Sequence, residues 1–97
     1  MKNQPKTTYR VIGAGTGEWL DGGGFTFNRP GFHSTLEAAI ADYRELEADP
    51  SYDSAVLIRV QHESWSVLQE FGTEGLSITC SPIGVFHLET APELVLV

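Results

Sequence analysis

The sequence predicts an α+β fold: two strands, one helix, then an antiparallel β-meander, with the helix packed on one face of the sheet. Three observations predict it. A capping signal at Ser34 opens the one stretch with sustained helical spacing. Beyond Pro50 the apolar pattern changes from a period of 3.6 to a period of 2. Turn signals then recur at short intervals to the end of the chain, as a meander requires.

The elements follow in order. All 97 residues make one domain, of which residues 1–6 read as a flexible N-terminal tail. Residues 8–12 have the β-branched and aromatic content of a strand, with Tyr9 and Val11 on one face. Phe25-Thr26-Phe27 alternates in the same way. The two are expected to pair around the glycine-rich stretch VIGAGTGEWLDGGG, whose glycines read as slack in a long hairpin loop.

Ser34-Thr35-Leu36-Glu37 forms a capping box, in which Ser34 and Glu37 each satisfy an exposed backbone donor. Leu36, Ala39, Ile40, Tyr43 and Leu46 then make one apolar stripe. Asp49-Pro50 ends the helix, because proline disfavours helical geometry in the residue before it. Residues 55–61 carry the densest apolar run and are expected to form a central strand. A tight turn near His62-Glu63-Ser64 leads to a strand marked by Trp65, Val67 and Phe71. Gly72-Thr73-Glu74-Gly75 turns the chain again, and Leu76, Ile78 and Cys80 alternate beyond it. Pro82 and Gly84 punctuate the step to residues 85–89, and residues 94–97 are expected to add an edge strand.

Charge bounds the function. Thirteen acidic residues face six basic ones, for a formal net charge of −7. After Arg59 there is no Lys or Arg, while Glu63, Glu70, Glu74, Glu89 and Glu93 follow. Direct nucleic-acid binding normally needs a basic footprint to displace counterions from phosphates, and here the field has the wrong sign. The N-terminus lacks the apolar core of a secretory signal, and no apolar run approaches the ~20 residues of a bilayer span. Cys80 is unpaired, so a cytoplasmic protein that makes no membrane contact is expected.

The glycine-rich stretch is not a phosphate cradle. A dinucleotide fingerprint beginning at Gly13 needs a third glycine where Glu18 stands, and a helix directly after it. The phosphate-loop alternative fails because no lysine follows Lys6. His33, His62 and His87 show no conventional ligand spacing, and Cys80 has no second cysteine beside it. Cys80 reads as a small core hydrophobe on the apolar side of its strand. The sequence therefore predicts neither a metal nor another cofactor, and no catalytic constellation.

Two features carry a binding reading. Trp19 and Leu20 stand between glycine clusters, either as an interface anchor or folded back over the small core. Opposite the apolar stripe, Glu37, Asp42, Glu45, Glu47 and Asp49 face only Arg44. Glu45, Glu47 and Asp49 sit at the negative end of the helix dipole, a local cost of the kind that accompanies functional surfaces. With Asp53 they form a negative patch. Trp19, Leu20, Asp42, Glu45, Glu47, Asp49 and Asp53 are thus the candidate partner-binding residues, and the expected partner is a protein with a basic surface.

Small size, acidity, a single helix carrying Glu45, Glu47, Asp49 and Asp53, and a small sheet together resemble the phage-encoded anti-CRISPR class. Those proteins block bacterial defence complexes, several by mimicking DNA. The resemblance is one of type; it transfers no residue roles. It implies a non-enzymatic inhibitor acting in a host cytoplasm and occupying a surface that normally holds nucleic acid. Two other readings stand beside it: a small-molecule or metal-binding domain using the glycine-rich loop and the histidines, and a structural subunit of a phage assembly.

Overall fold

Alternation, helical spacing and turn chemistry set seven elements in a computed structural model that describes residues 6–90. In chain order they are β1 (Thr7–Glu18), β2 (Gly24–His33), α1 (Leu36–Ala48), β3 (Ser54–Gln61), β4 (Ser64–Phe71), β5 (Leu76–Cys80) and β6 (Phe86–Thr90). The fold is α+β, as predicted. Residues 1–5 of the expected tail and the strand expected at 94–97 lie outside the described residues. Among those described, no helix is long and apolar enough to cross a membrane.

Four antiparallel strands form the main sheet in the order β2-β1-β3-β4. The meander divides: β5 and β6 leave that sheet and pair with each other as a separate hairpin. This creates three layers. Helix α1 covers one face, where Val11, Ala39, Tyr43, Leu46, Ala55 and Leu57 form a core. The β5–β6 hairpin covers the other, where Ile12, Ala14, Val56, Ile58, Phe86 and Leu88 form a second core. Residues 54–58 are consequently buried without interruption, because both faces of β3 are covered. The Asn28 side chain fastens the second layer: its amide donates to the Leu88 carbonyl (3.1 Å) and accepts from the Leu88 N–H (2.8 Å).

The glycine-rich stretch is a strand, not a slack loop. Gly13, Gly15 and Gly17 alternate along β1 and so share the face turned toward α1. At these three positions the space a side chain would take is already occupied. A Cβ on Gly13 would crowd Leu46 and Tyr52, one on Gly15 would meet Phe27 and the Ser51 carbonyl, and one on Gly17 would meet Phe25. Phe25 and Phe27 are the direct cross-strand partners of Gly17 and Gly15, and their rings fill the space the glycines leave. Only residues 19–23 form the loop. It closes through Gly22 N–H to the Trp19 carbonyl, with Gly22 at φ 91°.

Helix α1 starts one residue later than the capping box predicts. Thr35 is the N-cap, its hydroxyl accepting from the Ala38 N–H at 3.3 Å. The helix ends at Ala48 with Asp49 as its C-cap, as Asp49-Pro50 dictates. Asp53 lies beyond the helix, in the turn that leads into β3. Cys80 is exposed, not a core residue: it shares its strand face with Leu76 and Ile78, which pack on the second core, but stands at the exposed last position of β5.

Candidate functional site

The β1–β2 hairpin outruns the sheet that supports it. Pairing of β1 with β3 stops at Ala14↔Ser54, whereas pairing with β2 continues from Gly15↔Phe27 to Glu18↔Gly24. These last pairs make a two-stranded arm, about 13 Å long at roughly 3.3 Å per residue. At its tip Trp19 is 59% exposed and Leu20 fully exposed. The tip thus presents both residues to solvent; neither folds back on the core.

The two faces of the arm differ in chemistry. On the α1 side four aromatic rings run in a row from tip to body. Trp19 and Phe25 have ring centroids 4.5 Å apart, Phe25 and Phe27 6.4 Å, and Phe27 and Tyr52 5.7 Å. Trp19 and Phe25 remain substantially solvent-exposed. On the other face Thr16 stands opposite Thr26, and the Thr16 hydroxyl donates to Asp53 Oδ2 at 3.2 Å. Asp53 also anchors the arm's base, its N–H donating to the Ala14 carbonyl at 2.9 Å.

Charge is segregated along the strands. At the arm end stand Glu18 and Asp21 on the arm, Glu47 and Asp49 at the helix C-terminus, and Asp53, Glu70 and Glu74 around the neighbouring turns. Their opposites are elsewhere. Lys6, Arg10 and Arg59 occupy the far end, beside the β3–β4 turn, Arg44 lies midway along α1, and Arg29, opposite Gly13 near the arm's base, is bound to Asp42. The last turn of α1 carries no basic residue, so its carbonyl ends and Glu45, Glu47 and Asp49 add their fields. Among the described residues, none of Glu45, Glu47, Asp49 or Asp53 has a cationic side chain within ion-pairing distance.

Asp42 is set apart from the patch. The sequence places it on the acidic outer face, but it points inward and is only 8% exposed. Arg29 Nη1 donates to its Oδ1 at 2.8 Å and His33 Nε2 to its Oδ2 at 2.7 Å, tying α1 to β2. Gly31 makes room, since a Cβ there would stand 2.5 Å from Asp42 Oδ2. Burial pushes the Asp42 carboxyl up, but the hydrogen bonds from His33 and Arg29 and the Arg29 charge outweigh it, and the carboxyl titrates below its ordinary value. Asp42 is a structural anchor, neutralised where it sits.

The structure therefore brings Trp19, Leu20, Glu47, Asp49 and Asp53 to one end, with Glu45 one turn back along the helix. Phe25, Phe27 and Tyr52 belong to the same surface and escape the sequence reading. Their signal is the offset match between G-x-G-x-G and F-x-F, which only the cross-strand register converts into rings over glycines. The histidines are not gathered: His33 serves Asp42, His62 sits in the β3–β4 turn, and His87 lies on β6. No cluster of three or more His, Cys, Asp or Glu fit to hold a metal occurs among the described residues. No protein-family model, no curated protein and no solved structure matches the chain.

Proposed function

We propose that this protein is a non-enzymatic acidic interaction protein that binds and blocks a basic surface of a partner protein through its arm end. The reading rests on one observation: among the described residues, the exposed apolar tip and the carboxylates without a cationic partner share one end, while the cations not bound to a carboxylate lie elsewhere. Trp19 and Leu20 supply the apolar anchor, since large side chains at an exposed tip find a desolvated pocket only on another molecule. Glu45, Glu47, Asp49 and Asp53 supply the field that attracts and orients a cationic partner. A surface that normally holds nucleic acid is the natural target, with carboxylates standing where phosphates would. Such an activity would suit the anti-CRISPR class that the chain resembles in size and acidity.

The test is capture of host proteins by the wild type and by the triple variant Glu45→Lys/Glu47→Lys/Asp49→Lys, each at low and high salt. A partner held at low salt, released at high salt and lost by the folded variant supports the reading. Equal capture by both proteins overturns it.

A further inference from the structure

The aromatic face of the arm implies a narrower partner chemistry than positive charge alone. We infer that the arm recognises arginine in preference to lysine, its row of rings receiving guanidinium groups that the flanking carboxylates then pair. This inference rests on the acidic-docking reading above and specifies which cation it selects.

Three observations converge on arginine. First, the rings of Trp19, Phe25, Phe27 and Tyr52 form a continuous row rather than a closed cluster, and the two nearest the tip are open to solvent. Glycines back this row: the rings of Phe25 and Phe27 take the space above Gly17 and Gly15. A planar cation within about 6 Å of a ring centroid is attracted by the ring's quadrupole, and guanidinium stacks on such faces far better than ammonium.

Second, carboxylates bracket the row at both ends. Asp21 stands at the tip and Asp49 beside Tyr52 at the base. Each is already held in place through one oxygen. Asp21 Oδ1 accepts from the Gly23 N–H at 3.0 Å, and Asp49 Oδ1 accepts from the Ser51 N–H at 2.9 Å. Among the described residues, the second oxygen of each accepts no hydrogen bond. A fixed carboxylate with a free oxygen near an aromatic ring, as Asp21 is to Trp19 around Gly23, suits a stacked guanidinium, whose donors lie in its own plane.

Third, the same pairing exists inside the molecule. Arg10 lies over the ring of Phe32, with its guanidinium carbon 4.0 Å from the ring centroid. The open rings of the arm have no such cation among the described residues. An aromatic row used for nucleic-acid stacking would need free cations beside it to meet the phosphates; here the tip has Asp21, and the cation near the base, Arg29, is bound to Asp42.

The probes are fluorescent nona-arginine and nona-lysine peptides of equal charge, titrated with the protein by anisotropy at matched salt. Wild type is expected to bind the arginine peptide at least about threefold more tightly. The variant Trp19→Leu/Phe25→Leu is expected to bind both peptides at the wild-type lysine level. The indole N–H signal of Trp19 should shift with the arginine peptide and much less with lysine. Equal binding of the two peptides by wild type overturns the arginine inference and leaves the acidic-docking reading standing. Binding of neither overturns both. A preference that survives in the double variant, or in Trp19→Leu alone should the double variant unfold, removes the aromatic row as its source.

Discussion

Phe27 lies over Gly15: a Cβ built on that glycine would come within 2.6 Å of the tip of the phenylalanine ring. The same Cβ would also run into the Ser51 carbonyl, which is backbone and cannot swing aside. Gly15→Ala should therefore cost about 1–3 kcal/mol, the usual range for overpacking a tight site. Gly17→Ala meets only the exposed ring of Phe25, which can rotate away, and should cost less. Urea denaturation of the two variants checks the order, and a Gly17 variant as damaged as the Gly15 one would refute it.

Asp42 should make stability depend on pH in a specific window. Its carboxyl titrates below the ordinary value in the folded state, against about 3.9 when unfolded. A depressed carboxylate stabilises the fold fully above the unfolded value and loses that contribution as pH falls through the folded one. The wild-type melting temperature should thus drop on acidification below about pH 4, where protonation of Asp42 breaks its hold on Arg29 and His33. Asp42→Asn should be less stable than wild type at neutral pH and converge toward it in acid. Parallel melting curves across the whole range would show that the Asp42 contacts contribute nothing.

Much of the fold was legible because it follows from local chemistry. The stripe Leu36, Ala39, Ile40, Tyr43 and Leu46 needs only helical spacing, and Asp49-Pro50 stops the helix by a steric rule. The densest apolar run reads as a central strand and is one, because two covered faces leave β3 no polar position between Ser54 and Arg59. What escaped the sequence depended on partners far along the chain. The glycines of β1 read as loop because glycine disfavours strands. Their place in a strand is set by Phe25, Phe27 and Ser51 occupying the missing side-chain space.

The site divides the same way. Exposure of Trp19 and Leu20 follows from the arm's length, which the sequence understated by calling the glycines a loop. Asp42 looked like one more surface acid until Arg29, His33 and the small Gly31 were seen to converge on it. Helical spacing puts Asp42 beside Glu45, but only the register of β2 shows which way the side chain turns.

Tyr43 carries the one buried side-chain polar atom without a hydrogen-bond partner among the described residues, its phenolic oxygen. Its ring packs edge-on against Phe71, with centroids 5.9 Å apart. Burial, with Glu47 and Glu70 nearby, pushes its hydroxyl pKa up, so the group stays neutral but unpaired. Deleting an unsatisfied hydroxyl removes a desolvation cost while keeping the ring, so Tyr43→Phe should stabilise the protein by about 1 kcal/mol. Thermal and chemical denaturation both test this. A destabilised Tyr43→Phe would mean that the hydroxyl has a partner, such as an ordered water in the cleft that Tyr43 lines with Leu36, Ile40 and Leu68.

Leu20 separates stability from binding most cleanly. It is fully exposed at the tip of a two-stranded arm, so its folded and unfolded environments are nearly alike. Leu20→Ser should change stability by no more than about 0.5 kcal/mol, the ordinary range for a surface substitution. If the tip enters a pocket on the partner, the same change removes an apolar anchor and should weaken capture about tenfold or more, as loss of a hot-spot side chain does. Asp42→Asn should give the reverse pattern, a less stable fold with unimpaired capture, because Asp42 faces inward. Paired measurements of melting temperature and partner retention on the two variants distinguish anchor from scaffold. Loss of capture by Asp42→Asn, with Leu20→Ser binding as wild type, would move the interface away from the arm.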